Sequence, residues 1–272
     1  MRPIEQRSQT ILDRETTTLE GYHFVTREDA IENALSLLDS AVSHRKKGIV
    51  YFDVDDTIFI SEPILRLELN TYFTKKLQER GEVFTPVNFT QLRDAGGRYY
   101  QVAAYQDAAK IIGEDFYEIY IREAALNQKM HASMYPHKGA VALQKTLEAQ
   151  GYCIGGYPTA RPHELSQITA AGLKHFGFSK APVIDMIADN ANPQHAKTAF
   201  FIEVIVPHIP EGTTVYFIDD HVKTAISVQQ ASEGKVRSVV PIMARNRHEI
   251  PLLDKNNVVY GTLSELAWSV VR

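Results

Sequence analysis

The stretch Ile49-Val50-Tyr51-Phe52-Asp53-Val54-Asp55-Asp56-Thr57 decides how this chain is read. Four β-branched or aromatic residues run straight into three carboxylates packed within four positions. A short apolar run of this kind reads as a strand covered on both faces, as in a parallel sheet. Parallel sheets place ligands at the carboxyl ends of their strands, so these carboxylates stand where a site belongs. Three like charges so close together repel one another, and burial raises the cost. A divalent cation relieves both, and hard oxygen donors suit magnesium.

The same rhythm recurs downstream. From Pro136 the pattern predicts a helix over 138–149, ended by Gly151, and a strand from Tyr152 to Tyr157 with Pro158-Thr159 at its end. A helix over 163–176 closing at Gly177, a short strand from Val183 to Ile187 and a helix over 194–207 stopped by Pro207 follow. Then come a strand from Thr214 to Ile218, a helix over 222–233 and a last core strand from Arg237 to Val240. Strands alternating with helices imply right-handed crossovers and an α/β, Rossmann-like, doubly wound parallel sheet. Upstream, Thr26 and Asp29 form a capping-box-like start to a helix reaching about His44. Residues 1–21 are polar and read as a loose arm. Residues 62–134 are amphipathic and aromatic-rich, punctuated by Thr85-Pro86 and Gly96-Gly97, and read as a helical insertion between the first and second core strands.

Bulk properties narrow the classes. The 272 residues, 44% hydrophobic and 23% charged, suit one α/β core with an insertion. A net charge of −4 without a dense basic patch predicts no nucleic-acid partner. The single cysteine, Cys153, excludes an internal disulfide, reads as a small buried hydrophobe and fits a reducing compartment. The N-terminal residues lack a signal-peptide core, and no run approaches the roughly 20 apolar residues of a membrane span. A soluble, cytoplasmic protein with no transmembrane segment is expected; secretion by a non-Sec route would leave no readable mark.

Two acidic pairs end two apolar strands: Asp53 with Asp55, and Asp219 with Asp220 after Val215-Tyr216-Phe217-Ile218. Taken singly, such a pair is also a turn or a helix cap. Tips of neighbouring parallel strands share one edge, so the four carboxylates can converge. Thr159 ends a third apolar run, where a hydroxyl beside backbone N–H groups can hold a phosphoryl oxygen or simply cap the next helix. Lys197 precedes Asp219 by 22 positions and opens the helix leading to that strand. It is either a surface lysine or the cation that balances the acids.

On these residues the chain resembles the haloacid-dehalogenase-like (HAD) hydrolase superfamily over about residues 48–240. Asp53-Val54-Asp55-Asp56-Thr57 matches motif one, Thr159 motif two, Lys197 motif three and Asp219-Asp220 motif four. Asp56 stands where the family often has Gly. The resemblance implies a Mg2+-dependent phosphatase in which Asp53 is the nucleophile and a metal ligand. Asp55 is then general acid/base and lends the metal its backbone carbonyl. Thr159 and Lys197 hold the phosphoryl group, and Arg161 and His221 join the substrate contacts. Asp220 is the direct metal ligand, while Asp219 meets Lys197 or a metal-bound water. An Asp two positions after the nucleophile is similar to phosphatases and phosphotransferases rather than dehalogenases.

The resemblance also divides the chain into an arm (1–21), a core (22–61 and 135–272) and a helical cap (62–134). Cap tyrosines either stack on an aromatic leaving group or build the core of that domain, and Arg98 and Arg122 are conceivable anion contacts. His131 and His137 lack a third ligand and read as ordinary loop residues. The Thr159-Ala160-Arg161-Pro162 strand end is loosely similar to HAD phosphatases of intracellular bacterial pathogens. The expected partner is therefore a phosphorylated small molecule or a phosphotyrosine protein. A secreted tyrosine phosphatase, a phosphotransferase and a non-catalytic binding protein on the same fold stay open.

Overall fold

The structure, a computed structural model, describes residues 24–25, 36, 47–95, 98–161, 163–186 and 193–269. They fall into two compact units, one spanning Ile60–Met134 and one built from the described residues of Ile11–Phe59 and Tyr135–Arg272.

The second unit is an α/β sandwich around one sheet. Among the described residues its strands are β1 (Phe24–Val25), β2 (Gly48–Phe52), β3 (Tyr152–Thr159), β4 (Val183–Asp185), β5 (Thr214–Ile218), β6 (Val236–Pro241) and β7 (Val259–Gly261). They lie in the order β1-β4-β3-β2-β5-β6-β7, and each pairs with its neighbours in parallel. β2 is the middle strand and is buried along its whole length, which is why its sequence does not alternate. The chain steps outward from β2 through β3 and β4, then returns to β5 on the other side of β2. The carboxyl edge at β2 is therefore the topological switch point, where open parallel sheets hold ligands.

The differences from the expected elements are informative. β6 is not the last strand, because β7 extends the sheet after the helix Ile250–Lys255. β1 has two residues, too few for a periodic signal, and it puts the insertion after the second strand rather than the first. The arm over 1–21 and, apart from Ser36, the helix expected from Thr26 to His44 lie outside the described residues. The helix expected over 194–207 changes gauge: α-helical over Pro193–Ala199, π-helical over Phe200–Ile205, then 3-10 over Val206–His208. The wider turn brings Phe200, Phe201, Val204 and Ile205 together into one buried cluster with Tyr51 and Phe217.

β3 reaches the site through a bulge. Val50 pairs with Ile154 but Tyr51 pairs with Gly156, so Gly155 is the extra residue. Only glycine fits there, since a Cβ on Gly155 would stand 2.5 Å from the Tyr51 ring. Beyond the bulge the pairing with β2 has ended, so Pro158 and its missing N–H do no harm. The next helix, Ser166–Phe176, ends at Gly177 in the left-handed conformation expected of a C-terminal glycine.

The Ile60–Met134 unit is helical. Its longest helix, Glu62–Gln78, starts with a proline in its first turn and buries Leu69, Phe73 and Leu77 at four-residue spacing. Asn88 and Gln91 form a reciprocal capping box, and Asp115 caps the helix Phe116–Tyr120. Phe73, Tyr105 and Phe116 stack with ring centroids 5.6–6.2 Å apart.

Candidate active site

Asp53 continues the ladder beyond β2, its N–H donating to the Ile218 carbonyl at 2.8 Å. Asp219 does the same beyond β5, donating to Val239. These bonds set the two strand tips side by side. One carboxylate oxygen from each of Asp53, Asp219 and Asp220 lies within 4.8 Å of the others, and all three residues are buried. Lys197, also buried, bridges the first two, with Nζ 2.6 Å from Asp53 and 2.9 Å from Asp219. The other Asp219 oxygen accepts the His221 N–H at 2.7 Å.

Asp220 is fixed by Thr57 and Asn246. The Thr57 hydroxyl donates to Asp220 Oδ1 and accepts the Asp220 N–H, at 3.0 and 2.9 Å. Asn246 donates to the Asp220 carbonyl, also at 2.9 Å. The turn that delivers Thr57 is tight: Asp56 has φ of 57° and its N–H donates to Phe59. Aspartate is among the few non-glycine residues that tolerate that conformation, which is how it stands where the family often has Gly.

Burial raises the Asp53 pKa well above the usual carboxylate range; Asp219 and Asp220 add to this and Lys197 opposes it. Burial likewise pushes Asp220 up to about 6, against the pull of Arg245 and with the help of Asp56 and Asp219. For Lys197 burial acts downward, but Asp219 and Asp53 outweigh it and hold the ammonium above its ordinary value. Five carboxylates, Asp53, Asp55, Asp56, Asp219 and Asp220, meet three cations, Lys197, Arg161 and Arg245. Burial is the main cause of the raised Asp53 and Asp220 pKa values, and the neighbouring carboxylates add to it. An all-oxygen donor set with excess negative charge in a buried spot suits a hard divalent ion.

The remaining residues singled out from sequence are placed as follows. Both Asp55 oxygens accept from the buried Arg161, at 2.8 and 2.9 Å. Arg161 also donates to Thr169 at 3.0 Å and lies over the Phe59 ring. Thr159 is fully buried at the end of β3, where its hydroxyl oxygen accepts the Arg161 N–H at 3.1 Å. His221 caps the helix Val222–Ala231 through Nδ1 and Thr224, and burial lowers its pKa. His131 is in a helix rather than a loop, and its Nε2 meets the Ala125 carbonyl at 3.1 Å. Arg122 is engaged at the surface by Glu114, Glu123 and Tyr72.

One residue escaped the sequence analysis. Arg245 donates to Asp56 at 2.7 Å and to Asp220 by a still shorter contact. It sits in the loop after β6, which Asn246 ties down by donating to Pro241 and accepting from Met243. The signal was available: the loop leaves the carboxyl end of a strand next to β5.

No protein-family model and no curated protein matches the chain. Solved structures do. A Clostridium difficile protein provisionally assigned as a phosphatase aligns with 83% of this chain and 99% of its own, at 13% identity and a TM-score of 0.53. A predicted phosphoglycolate phosphatase from Haemophilus somnus aligns with 84% of this chain and 99% of its own, at 15% identity and a TM-score of 0.50. The likeness to these structures is one of fold, an α/β parallel sheet flanked by helices. Among the described residues, no helix is long and apolar enough to cross a membrane.

Proposed function

We propose that this chain is a Mg2+-dependent phosphomonoester hydrolase that works through a phospho-aspartate on Asp53. The observation that carries the reading is the buried Asp53–Lys197–Asp219 bridge, with Asp220 beside it, at the switch point of the sheet. Both fold neighbours are described as phosphatases, which agrees with it.

The chemistry divides among the side chains. One Asp53 oxygen is held by Lys197, and the other attacks phosphorus as the bond to the leaving oxygen breaks. Lys197 has three N–H donors and directs two of them at Asp53 and Asp219; the third faces the developing charge on the phosphoryl oxygens. Asp55, entering the step protonated, gives that proton to the leaving oxygen. It then takes one from the water that cleaves the acyl phosphate, which regenerates Asp53 and releases inorganic phosphate. Because Arg161 engages both Asp55 oxygens in this arrangement, one must let go for the proton to pass. Thr159 and the N–H groups after it take a phosphoryl oxygen. Asp53, Asp220 and the Asp55 carbonyl would hold the Mg2+, which supplies charge neutralisation so that a carboxylate can meet an anionic phosphate.

The test is turnover of p-nitrophenyl phosphate with and without Mg2+, in the native protein and in Asp53→Asn. Native turnover that needs Mg2+, and a loss on the order of a thousandfold or more in the variant with unchanged circular dichroism, is the expected result. Native-level turnover by Asp53→Asn would remove the mechanism.

A further inference from the structure

We propose that Arg245 is a positioning residue that sets how tightly the carboxylate cluster takes a divalent cation. The inference rests on the proposed metal site but concerns a residue with no part in the four motifs. Arg245 reaches the cluster from the loop after β6 and donates to Asp56 and Asp220 at once. Asp220 has only two carboxylate oxygens. Thr57 donates to one, and Arg245 donates to the other. One of the two Asp220 oxygens open to a cation is thus already in contact with a positive charge.

The geometry makes that contact adjustable. Asp220 is buried and its backbone is held by Thr57 and Asn246, whereas the Arg245 side chain keeps 34% of its surface exposed. The acid is fixed and the arginine is the partner with room to move. A guanidinium at this position does two things. It offsets like-charge repulsion among Asp53, Asp56, Asp219 and Asp220 when no metal is bound, so the metal-free fold is stabilised. It also repels an incoming dication and occupies one Asp220 oxygen, so cation affinity is lowered. The same charge therefore raises metal-free stability and lowers metal affinity.

The experiment is calorimetric titration of Mg2+, and separately Mn2+, into the chelator-treated full chain, with thermal melts of the same samples. The proteins are the native chain, Arg245→Gln and Arg245→Lys. The expected result is cation binding tighter on the order of tenfold in Arg245→Gln and near native in Arg245→Lys. In parallel, Arg245→Gln melts lower than native without metal and gains more on adding it. Three results overturn the inference while leaving the metal site standing: equal affinity in all three proteins, weaker binding in Arg245→Gln, or equal gains in Gln and Lys. Loss of inorganic phosphate binding in Arg245→Gln with cation affinity unchanged also overturns it, by making Arg245 an anion contact. Absence of cation binding in all three proteins, the native chain included, removes the metal site and this inference together.

Discussion

The two units have opposite interiors. The Ile60–Met134 unit is centred on aromatic carbon: Phe73, Tyr105 and Phe116 stack, with Leu69, Leu77 and Ile119 around them. Most of its ion pairs, such as Arg122 with Glu114 and Glu123, stay at the surface, and Glu62 with Arg66 is part-buried. The sheet unit keeps an aromatic cluster too, but at the carboxyl edge it buries charge: Asp53, Asp219, Asp220 and Lys197 are all inside. Apolar burial is non-directional and rewards a fold directly. Buried charge is costly unless every group is paired, and is retained where something other than stability is gained. The difference marks the strand tips as the candidate site.

That contrast predicts that the sheet unit breaks on losing a charge and the helical unit on losing volume. The largest effect belongs to Lys197→Ala, which leaves Asp53 and Asp219 buried and unpaired. A stability loss of about 3–5 kcal/mol by denaturant unfolding, with aryl phosphate turnover down on the order of a hundredfold or more, is expected. Lys197→Arg, which keeps the charge, should recover more stability than activity. Phe73→Ala opens a cavity at the centre of the ring stack and should cost about 3–5 kcal/mol. Hydrogen exchange should locate that loss in residues 60–134; equal loss across the sheet strands would erase the contrast. Gly155→Ala presses a methyl group into the Tyr51 ring and should cost about 1–3 kcal/mol by thermal melting. Arg122→Ala removes only surface pairs and should cost under about 1 kcal/mol.

The sequence was most legible where one residue type has one physical use. The run into Asp53 marked a buried strand because only a strand covered on both faces is apolar without alternation. The stretch Thr214–Ile218 was read with its observed bounds, since the carboxylates after it stop the apolar run abruptly. Legibility failed where a role depends on tertiary neighbours. A two-residue edge strand such as β1 has no period. Arg161 reads as an anion contact from its motif, yet its guanidinium faces Asp55, 106 positions away in the chain. Arg245 lies 25 positions beyond Asp220, and only its place in the loop after a strand neighbouring β5 could mark it. The insertion's aromatic residues had two readings: Tyr99 and Tyr105 are buried, whereas Tyr100 and Tyr117 are exposed.

The measurement that tests the central claim most directly is a rapid denaturing quench of the protein turning over p-nitrophenyl phosphate with Mg2+, followed by peptide mass analysis. The account predicts a phosphoryl group on the peptide carrying Asp53, lost on treatment with hydroxylamine and missing from Asp53→Asn. Steady turnover with no phosphoryl group on that peptide, or with one on a serine, threonine or histidine instead, would contradict it.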